Sequence, residues 1–487
     1  MTTPIDKRQF LAAVACRTRG WLGRAAPRET PSPGLALKFH TGNEIHRLAR
    51  EFLGAGSELQ RSPLEAALAA SQEALADPSS GPLLYEVSFQ TRDSNFVART
   101  DALRRQPDGW TIVEVKSGVS PNEGEGPNDE YVDDLAYSWM VATNAGLAAG
   151  RAELVVINRE YRLDGAVPLL TTLDVTDAVR ARAAEFARVA DSVAGALQRD
   201  ERPEPEFSFT CKGCDYFGKS CLGVGVKDHL FRLPRLSEKK FDELAPFGRV
   251  KDIPHSTKLA PTQQLAADVI RSGVPLVQRD GLAFLDELRW PLYFLDFEAS
   301  SPAIPWFAEC PPYDATPFQY SLDVQDAPDT PECHFEYLAH ARGDWRRELT
   351  ERLIAELGSA GSIIVYSSYE KTRLSALAAL FDDLKPALDA AIERLFDLER
   401  VFKKGYIHPD FAGSSSIKKV LPAVVPALSY DALTIGNGTD AAAVFEFMYN
   451  GEYPTETHES HRANLLRYCG LDTNAMVLLL DAVRKLR

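Results

Sequence analysis

The feature that most constrains the fold is an alternation of short apolar strand patterns with longer helical patterns, which occurs in two blocks of the chain. In the first block, strands are predicted at LLYEVSF, NFVARTDALRR, WTIVEVKSG and AELVVIN, and helices at 5–20, 40–53, 64–77, 129–147 and 174–199. In the second block, strands are predicted at 292–299, 318–324 and 362–368, and helices at 344–357, 370–380 and 459–486. Strands that alternate with helices predict a sheet-centred α/β architecture in both blocks.

Length and composition place the chain among globular proteins of more than one domain. It has 487 residues, of which 45% are hydrophobic and 25% are charged, and common domain sizes then predict about two to four domains. The break between the two blocks predicts a first domain at 1–230, a connecting region at 231–285 and a second domain at 286–487. The apolar stretches are as short as strands, and residues 1–20 lack a signal-peptide pattern, so we expect a cytoplasmic protein without membrane spans.

Charge is distributed unevenly along the chain. The formal net charge is −15, which argues against a protein that coats nucleic acid through a general basic excess. Residues 1–50 differ, because they carry nine basic side chains against three acidic ones. The basic ones are Lys7, Arg8, Arg17, Arg19, Arg24, Arg28, Lys38, Arg47 and Arg50, and the acidic ones are Asp6, Glu29 and Glu44. This stretch either forms a basic surface at the edge of a nucleic-acid-binding groove or is an ordinary solvated surface. Charge alone favours the solvated surface.

The first chemical signal is a set of carboxylates and a lysine on two neighbouring predicted strands. Asp101 lies on one strand, and Glu114 and Lys116 lie two residues apart on the next, so that their side chains share one face. An aspartate and a glutamate that converge form an oxygen-donor site suited to Mg²⁺ or Mn²⁺. A lysine beside them would orient or polarise an attacking water molecule. The same spacing is also common in surface ion pairs, which is the alternative interpretation.

The cysteines form the second signal. Cys211, Cys214 and Cys221 lie in the short polar segment CKGCDYFGKSC, and Cys16 lies alone near the start of the same block. Four thiolates are the ligand set of structural zinc sites and also of iron–sulfur clusters. The residues alone leave both metals open.

A second set of carboxylates lies in the C-terminal block. Asp296 and Glu298 are two residues apart on the apolar strand LYFLDFEAS, and Tyr468 and Asp472 are four residues apart on one face of the last predicted helix. Two carboxylates on one face of a buried strand are costly unless they are paired or bound to a metal. The alternative is that Asp296 and Glu298 only cap the end of a strand.

The N-terminal set resembles the PD-(D/E)xK nuclease superfamily in its RecB-like branch, which includes CRISPR-associated Fe–S exonucleases and a helicase–nuclease subunit. The resemblance implies that Asp101, Glu114 and Lys116 are catalytic. It also implies that His46, in the segment TGNEIHRLA, contributes to a metal site together with Asp101 and Glu114.

Two departures from that branch concern the catalytic region. The segment VDDLAYSWMVATNAGL resembles the helix that follows the Glu-x-Lys strand, where many relatives carry a glutamine motif and this chain has Ser138. Asp134 and Tyr137 are then the candidate substitutes. The proline of the superfamily name is also missing before Asp101.

One early and three late cysteines around the nuclease core are similar to the arrangement in the cluster-bearing RecB-like nucleases. The resemblance implies that Cys16, Cys211, Cys214 and Cys221 bind a [4Fe–4S] cluster that staples the two ends of the domain. It favours this cluster over the zinc alternative.

The C-terminal set resembles the RNase H-like DEDD 3′–5′ exonucleases. The resemblance implies that Asp296, Glu298 and Asp472 hold two divalent metals, and that Tyr468 helps to position the attacking water. The second motif of that family carries an aspartate after a central strand, where this chain has Glu370, whose side chain is one methylene longer.

Three further residues match positions of the same exonuclease family. Asp397 lies where relatives have a structural or accessory aspartate. Lys418 and Lys419 lie in HPDFAGSSSIKKVLP, which resembles the segment on the substrate side, and they are candidates for contacts with phosphates or simply an exposed basic turn. Both blocks together resemble a bacterial family that fuses a RecB-like region to an RNase H-like exonuclease region.

The sequence therefore predicts a nuclease that uses Mg²⁺ or Mn²⁺ to hydrolyse DNA, or alternatively RNA, with single strands or ends as the favoured substrates. The alternatives are that one half alone is catalytic, or that the chain is a non-catalytic binding module stapled by a cluster or by zinc. No Walker-type glycine loop is present. Any unwinding of duplex must then come from frayed ends or from a partner such as a helicase or a defence system.

Overall fold

The computed structural model describes residues 3–25, 30–93, 95–328, 330–340, 343–430 and 433–487. Arg28 and Glu29 of the charged N-terminal stretch lie outside the described residues. The chain divides into two compact units. The first comprises Met1–Thr30, Lys38–Val224 and Ala303–Tyr313, and the second comprises Pro31–Leu37, Gly225–Pro302 and Asp314–Arg487. Residues 231–285, predicted as a connecting region, fall within the second unit.

The first part of the chain, up to residue 198, forms one mixed sheet flanked by helices. The helices are α1 (Lys7–Ala15), α2 (Arg17–Gly23), α3 (Pro33–Leu53), α4 (Leu64–Ala76), α5 (Asp129–Asn144) and α6 (Thr176–Gln198). The strands are β1 (Ser57–Glu58), β2 (Leu83–Gln90), β3 (Val97–Gln106), β4 (Gly109–Val119), β5 (Ala149–Ile157) and β6 (Leu170–Asp174), and they are ordered β1-β2-β3-β4-β5-β6. The meander β2-β3-β4 is antiparallel and β5 is parallel to β4. The four strands predicted in this block are confirmed as β2 to β5.

Two predicted helix boundaries in this block are wrong. The helix predicted at 5–20 is interrupted at Cys16, whose extended backbone ends α1 and begins α2. The interruption lets α2 fold back on α1, so closely that a Cβ on Gly20 would lie 2.5 Å from the Cβ of Ala13. Pro33 and Gly34, predicted in a loop, form the first turn of α3, where a proline costs no backbone hydrogen bond.

The second part of the chain contains a five-stranded sheet and most of the remaining helices. The helices are α7 (Glu238–Leu244), α8 (Pro261–Ser272), α9 (Arg279–Leu282), α10 (Arg346–Leu357), α11 (Tyr369–Leu380), α12 (Lys385–Glu393), α13 (Glu399–Lys404), α14 (Ile417–Val424), α15 (Gly438–Asn450) and α16 (His458–Arg484). The strands are β7 (Leu276–Val277), β8 (Leu292–Ser300), β9 (Thr316–Gln325), β10 (Cys333–Leu338), β11 (Ser362–Val365), β12 (Leu395–Asp397) and β13 (Tyr406–Ile407).

The five-stranded sheet has β8 at its centre. Its order is β10-β9-β8-β11-β12, with β9 antiparallel to both neighbours and with β8, β11 and β12 parallel to one another. Strands β8, β9 and β11 were predicted, whereas β10 and β12 were not. β10 is an edge strand whose first four residues are not buried, so it lacks an apolar alternation, and β12 has three residues.

The last helix covers the central strand of this sheet. Apolar residues of α16, among them Met476 and Leu480, pack in one core cluster with Phe294 of β8 and Ile364 of β11. This packing fixes the side of α16 that faces β8, because residues four apart lie on one face of a helix. Among the described residues, no helix combines the length and apolarity that a membrane span requires.

The core of the first unit is organised around Tyr137 of α5. Its ring is fully buried against Phe10 and Phe96, with ring centroids 5.0 Å and 6.5 Å away. Its hydroxyl oxygen lies 2.8 Å from the backbone carbonyl oxygen of Ile5 and 2.9 Å from that of Val97, so that its one hydrogen is shared between the two acceptors. Tyr137 therefore joins the N-terminal segment to β3 through the core.

We expect Tyr137→Phe to lower the free energy of unfolding by about 1–3 kcal/mol, because two buried carbonyls lose a hydrogen-bond donor. The measurement is urea unfolding followed by circular dichroism. Tyr161→Phe is the matched control, because Tyr161 lies in a partly exposed turn. An equal effect of the two substitutions would contradict the structural role assigned to the Tyr137 hydroxyl.

Candidate functional site

Strands β3 and β4 bring the predicted N-terminal residues together. Ala102 pairs with Val113 across the two strands, and this register puts Asp101 opposite Glu114. The Asp101 Oδ2 atom accepts a hydrogen bond from the backbone N–H of Val115 at 2.7 Å. Glu114 and Lys116 share one strand face, as their spacing predicts, and their charged groups are 3.1 Å apart.

Glu114 is a buried carboxylate held between two lysines. Its Oε1 atom accepts from Lys7 Nζ at 2.6 Å and from Lys116 Nζ at 3.1 Å. Burial opposes ionisation of this carboxyl, but the two ammonium groups outweigh it and lower its pKa to about 2. The other oxygen, Oε2, is buried and has no hydrogen-bond partner among the described residues. Glu114 is therefore ionised and has one oxygen open for a ligand.

The negative charge of Asp101 is offset less by nearby positive charges than that of Glu114. Burial, with the charge of Glu114, raises the pKa of Asp101 to about 7. The His46 Nδ1 atom, on α3, is 3.8 Å from Asp101 Oδ1, and burial lowers the pKa of His46. A neutral imidazole and two carboxylates are a chemically suitable donor set for a divalent cation.

Helix α5 supplies Asp134, whereas Ser138 and Tyr137 point elsewhere. Asp134 accepts a hydrogen bond from Lys116 Nζ through Oδ2. The Ser138 hydroxyl donates to the backbone carbonyl of Asp134 at 3.2 Å. Tyr137, the other candidate substitute for the glutamine motif, has its hydroxyl on core carbonyls.

In the second unit, β8 and α16 place three carboxylates in one cluster. Asp296 and Glu298 come from β8 and Asp472 from α16, and one ligand atom of each lies within 4.8 Å of the others. Within the described part of the chain, no other group of three potential metal ligands has all its ligand atoms within this distance. The donors of His46, Asp101 and Glu114 are more widely spaced.

Burial governs the electrostatics of this carboxylate cluster. Burial and then the charge of Asp472 raise the pKa of Glu298 to about 8 and that of Asp296 well above its usual range. Burial also raises the pKa of Asp472 to about 6, although hydrogen bonding from Tyr430 and the charge of Lys418 oppose the rise. The cluster repels further negative charge and would be stabilised by a cation.

Glu370 extends the same cluster from the first turn of α11. It is 3% exposed, and its Oε2 atom is buried without a hydrogen-bond partner in the described structure. Burial raises its pKa to about 8. Glu370 lines, with Asp296, Glu298 and Asp472, a cavity of about 360 Å³. A buried carboxylate oxygen without a donor is a feature that a bound cation would satisfy.

Polar neighbours of the cluster come from α14 and α16. Lys418 Nζ donates to the Tyr468 hydroxyl at 3.1 Å and to the Gly436 carbonyl at 3.0 Å. Tyr468 lines the same cavity. Lys419 is exposed to solvent. Asp397 stands apart as a structural residue, because its Oδ1 accepts backbone hydrogen bonds from Ser367 and Glu399.

Three residues of these two sites were not predicted from the sequence. Lys7 neutralises Glu114, and the basic excess of residues 1–50 was the signal that could have drawn attention to it. The Tyr430 hydroxyl donates to Asp472 Oδ1, and Cys469 Sγ lies 3.4 Å from Asp296 Oδ2. No spacing in the sequence connects Tyr430 with Asp472.

Comparison with family sequence models gives two matches. Residues 50–218 match the PD-(D/E)XK nuclease superfamily. This segment is a PD-(D/E)XK nuclease domain. Residues 293–416 match the domain of unknown function DUF2779. A comparison with curated proteins finds no similar sequence.

The PD-(D/E)XK match contains Asp101, Glu114, Lys116 and Asp134. His46 lies before the matched segment and Lys7 lies further before it. The DUF2779 match contains Asp296, Glu298 and Glu370 but ends before Tyr468 and Asp472, which the fold brings to the same cavity.

The four cysteines converge at the end of the PD-(D/E)XK domain. Cys16, Cys211, Cys214 and Cys221 are free thiols that line one small cavity. Burial raises the pKa of Cys211, and the nearby Cys16 and Cys214 add to the effect. The cavity is also lined by the ring of Phe217, which stacks on Phe207 at a centroid distance of 6.1 Å.

We expect Glu298→Gln to raise the melting temperature of the metal-free protein by about 3 °C at pH 8. Folded Glu298 titrates near pH 8 and an unfolded glutamate near about 4.3, so the folded state binds more protons between these values and its stability falls as pH rises. The measurement is thermal unfolding in EDTA at pH 5 and pH 8.

The exposed Glu393→Gln is the matched control for this prediction. The effect of Glu298→Gln should shrink at pH 5, where wild-type Glu298 is already protonated. A substitution that lowers the melting temperature equally at both pH values would contradict the electrostatic description of the cluster.

Proposed function

We propose that this protein is a metal-dependent nuclease that hydrolyses phosphodiester bonds of DNA at two active sites. The observation that carries the proposal is the state of Glu114 within the PD-(D/E)XK domain. This carboxylate is buried and ionised, with one oxygen held by two lysines and the other without a hydrogen-bond partner among the described residues. PD-(D/E)XK nucleases use Mg²⁺ or Mn²⁺, and the oxygen donors of this site fit those cations.

Each residue of the N-terminal site has a distinct role in this proposal. Asp101 and Glu114 hold the cation, with His46 as a further ligand. Lys116 orients the attacking water and neutralises charge that develops on the phosphate. Lys7 keeps Glu114 ionised. When bound, a divalent cation supplies Lewis acidity for hydrolysis at phosphorus.

A 3′–5′ exonuclease site in the second unit is the second part of the proposal. The sheet has the strand order β10-β9-β8-β11-β12, and β9, the second of these strands along the chain, is antiparallel to both of its neighbours. RNase H-like proteins have the same arrangement, which supports the assignment. Asp296, Glu298 and Asp472 would hold the cations, and the open oxygen of Glu370 supports its role as the fourth carboxylate. Tyr468 would position the attacking water.

For the four cysteines we propose a [4Fe–4S] cluster that closes the PD-(D/E)XK domain. The support is that all four thiols are free and line one cavity, and that four thiolates are the ligand set of such a cluster. Structural zinc is the alternative that the same ligand set allows.

The proposed substrate is nucleic acid, with single strands or ends favoured. An N-terminal site that cuts or trims DNA and a C-terminal 3′–5′ exonuclease site are compatible with DNA repair, with defence against foreign DNA and with turnover of nucleic acid. A helicase or another partner would supply unwinding, since the chain has no Walker-type loop.

One observation favours a variant of this proposal in which a single half is catalytic. Lys7 and Lys116 both contact Glu114, and their two positive charges compete with a cation for the carboxylate. In this variant the N-terminal unit binds the substrate and the cluster of Asp296, Glu298 and Asp472 cleaves it.

We expect Glu114→Gln and Asp296→Asn each to reduce one of two activities by about a hundredfold or more, because each removes a charge that binds the cation. The assay uses anaerobically purified protein and 5′-labelled single-stranded DNA and RNA, with Mg²⁺, Mn²⁺ or EDTA. If one substitution abolishes all cleavage and the other none, the single-site variant is correct.

The controls for this assay are Glu123→Gln and Glu393→Gln, which change exposed glutamates in the two units. They should cleave as wild type does. A folded wild-type protein that produces no metal-dependent cleavage of either nucleic acid would contradict the proposal and leave a binding module.

We expect anaerobically purified wild-type protein to contain about four iron atoms per chain and to absorb visible light as iron–sulfur proteins do. Cys214→Ser should lose the iron, because it removes one of four thiolates. Cys333→Ser is the control, since Cys333 is exposed on β10. About one zinc and no iron per chain would contradict the cluster and support zinc.

A further inference from the structure

A candidate binding cavity of the second unit lies outside the carboxylate cluster. It has a volume of about 470 Å³, within the range of about 300–1,000 Å³ that is common for small-molecule sites. Its walls come from α8, from α13 and from residues 407–416, with Pro234 and Arg235 on one side. Neither family match covers α8, and the sequence predicted no function for this segment.

One wall of the cavity is apolar. Leu265, Ala266, Val269 and Ile270 of α8 line it, at a spacing that places them on one helix face. The rings of Phe402, His408 and Phe411 also line the cavity; Phe411 lies 6.1 Å from Phe402 and 5.9 Å from His408, centroid to centroid. A flat aromatic or heteroaromatic group would find both apolar and ring contacts here.

The charged residues of the cavity favour an anionic ligand. Glu399 is its acidic lining residue, and both carboxylate oxygens are already occupied, by Lys403 Nζ at 2.6 Å and by the Ser415 hydroxyl at 2.6 Å. Arg235 is exposed, and in the described structure its guanidinium has no hydrogen-bond or ion-pair partner. The lining therefore carries more positive than negative charge, in a chain with a net charge of −15.

The loop 412–416, which contributes three serines to the cavity wall, has its conformation fixed by backbone contacts. Ala412 and Gly413 both have positive φ angles, 53° and 79°. A Cβ on Gly413 would lie 2.0 Å from the Arg232 carbonyl, so only glycine allows this close approach. Arg232 also donates to the Pro409 carbonyl at 2.8 Å. These contacts form the cavity before any ligand binds.

The cavity adjoins the carboxylate cluster through one continuous segment. Ser414, Ser415 and Ser416 line it, and the next residues, Ile417 and Lys418, line the cavity of Asp296 and Asp472. Tyr366, which lines the carboxylate cavity, donates its hydroxyl to the Ser415 carbonyl at 2.7 Å. Consecutive residues of one segment therefore line the two cavities.

We propose that this cavity binds a nucleotide unit, with its base between α8 and the rings of His408 and Phe411 and its phosphate towards Arg235. The apolar and aromatic walls suit a base and the cationic rim suits a phosphate. The choice of a nucleotide among anions rests on the proposed nuclease function of the adjacent cluster. The unit is either part of the bound strand or a released mononucleotide, and both present the same chemistry.

The test measures binding to the 487-residue chain in EDTA, where no cleavage competes. The probes are deoxyadenosine 5′-monophosphate, deoxyadenosine and a short single-stranded oligodeoxynucleotide, titrated by calorimetry. Leu265→Trp fills the cavity, and Arg235→Gln removes the cation at its rim. Gln264→Trp is the matched control, because Gln264 neighbours Leu265 but does not line the cavity. Melting temperatures of all variants establish that they are folded.

We expect Leu265→Trp and Arg235→Gln each to weaken binding by about tenfold, the size of one lost charge-assisted or packing contact, and Gln264→Trp to bind as wild type does. A loss seen with the mononucleotide identifies a released nucleotide as the ligand, whereas a loss seen only with the oligonucleotide identifies part of the strand. Should Leu265→Trp fail to fold, Arg235→Gln decides the question.

Binding of mononucleotide and oligonucleotide that is unchanged in both folded variants would overturn the inference. Cleavage measured in parallel with Mg²⁺ separates this result from a failure of the proposed function. If the protein cleaves but the substitutions do not affect binding, the nucleotide inference fails and the proposed nuclease function stands. If the protein binds the mononucleotide in this cavity but cleaves nothing, the nucleotide inference stands and the proposed nuclease function fails.

Discussion

Burial of several carboxylates in one place is the constraint on which the second unit depends. Asp296, Glu298, Glu370 and Asp472 come from three elements and line one cavity, where desolvation penalises each negative charge. Lys418 lowers the pKa of Glu298 and Asp472, but one ammonium cannot compensate four carboxylates. The fold brings these groups together at the central strand of its sheet, and a bound cation is the counter-charge that such an arrangement needs.

In the first unit, the cost of burying a carboxylate is offset by lysine side chains of the protein itself. Glu114 is as buried as the carboxylates of the second unit, but Lys7 and Lys116 supply two positive charges within hydrogen-bond distance. Its pKa is therefore lowered, whereas that of Glu298 is raised. The two sites should consequently differ in their dependence on cation concentration. In the proposed function, Glu114 is ionised before a cation binds, whereas the carboxylates of the C-terminal cluster would ionise as the cation binds.

The sequence predicted the parts of the fold that local patterns determine. Apolar alternation located β2 to β5 and β8, β9 and β11, because these strands are buried on at least one face. It did not locate β10, whose exposed edge removes the alternation, or the break of the first helix at Cys16, which depends on packing of Gly20 against Ala13.

The candidate sites were predictable to the extent that their residues lie in short motifs. Asp101 and Glu114 came from two adjacent strands, and Asp296, Glu298 and Asp472 from spacing together with a family resemblance. Lys7 and Tyr430 were not predicted, because each reaches its carboxylate partner through tertiary packing alone. Tyr137 illustrates the opposite case, since the family resemblance made it a candidate substitute for the glutamine motif, whereas its hydroxyl contacts carbonyls of the core.

Anomalous diffraction from crystals of the 487-residue chain soaked in Mn²⁺ would locate bound cations directly. We expect anomalous density for manganese among Asp296, Glu298 and Asp472, and further density between Asp101 and the Oε2 atom of Glu114. Well-ordered carboxylates at both places, without manganese at either, would contradict the claim that these carboxylates form metal sites.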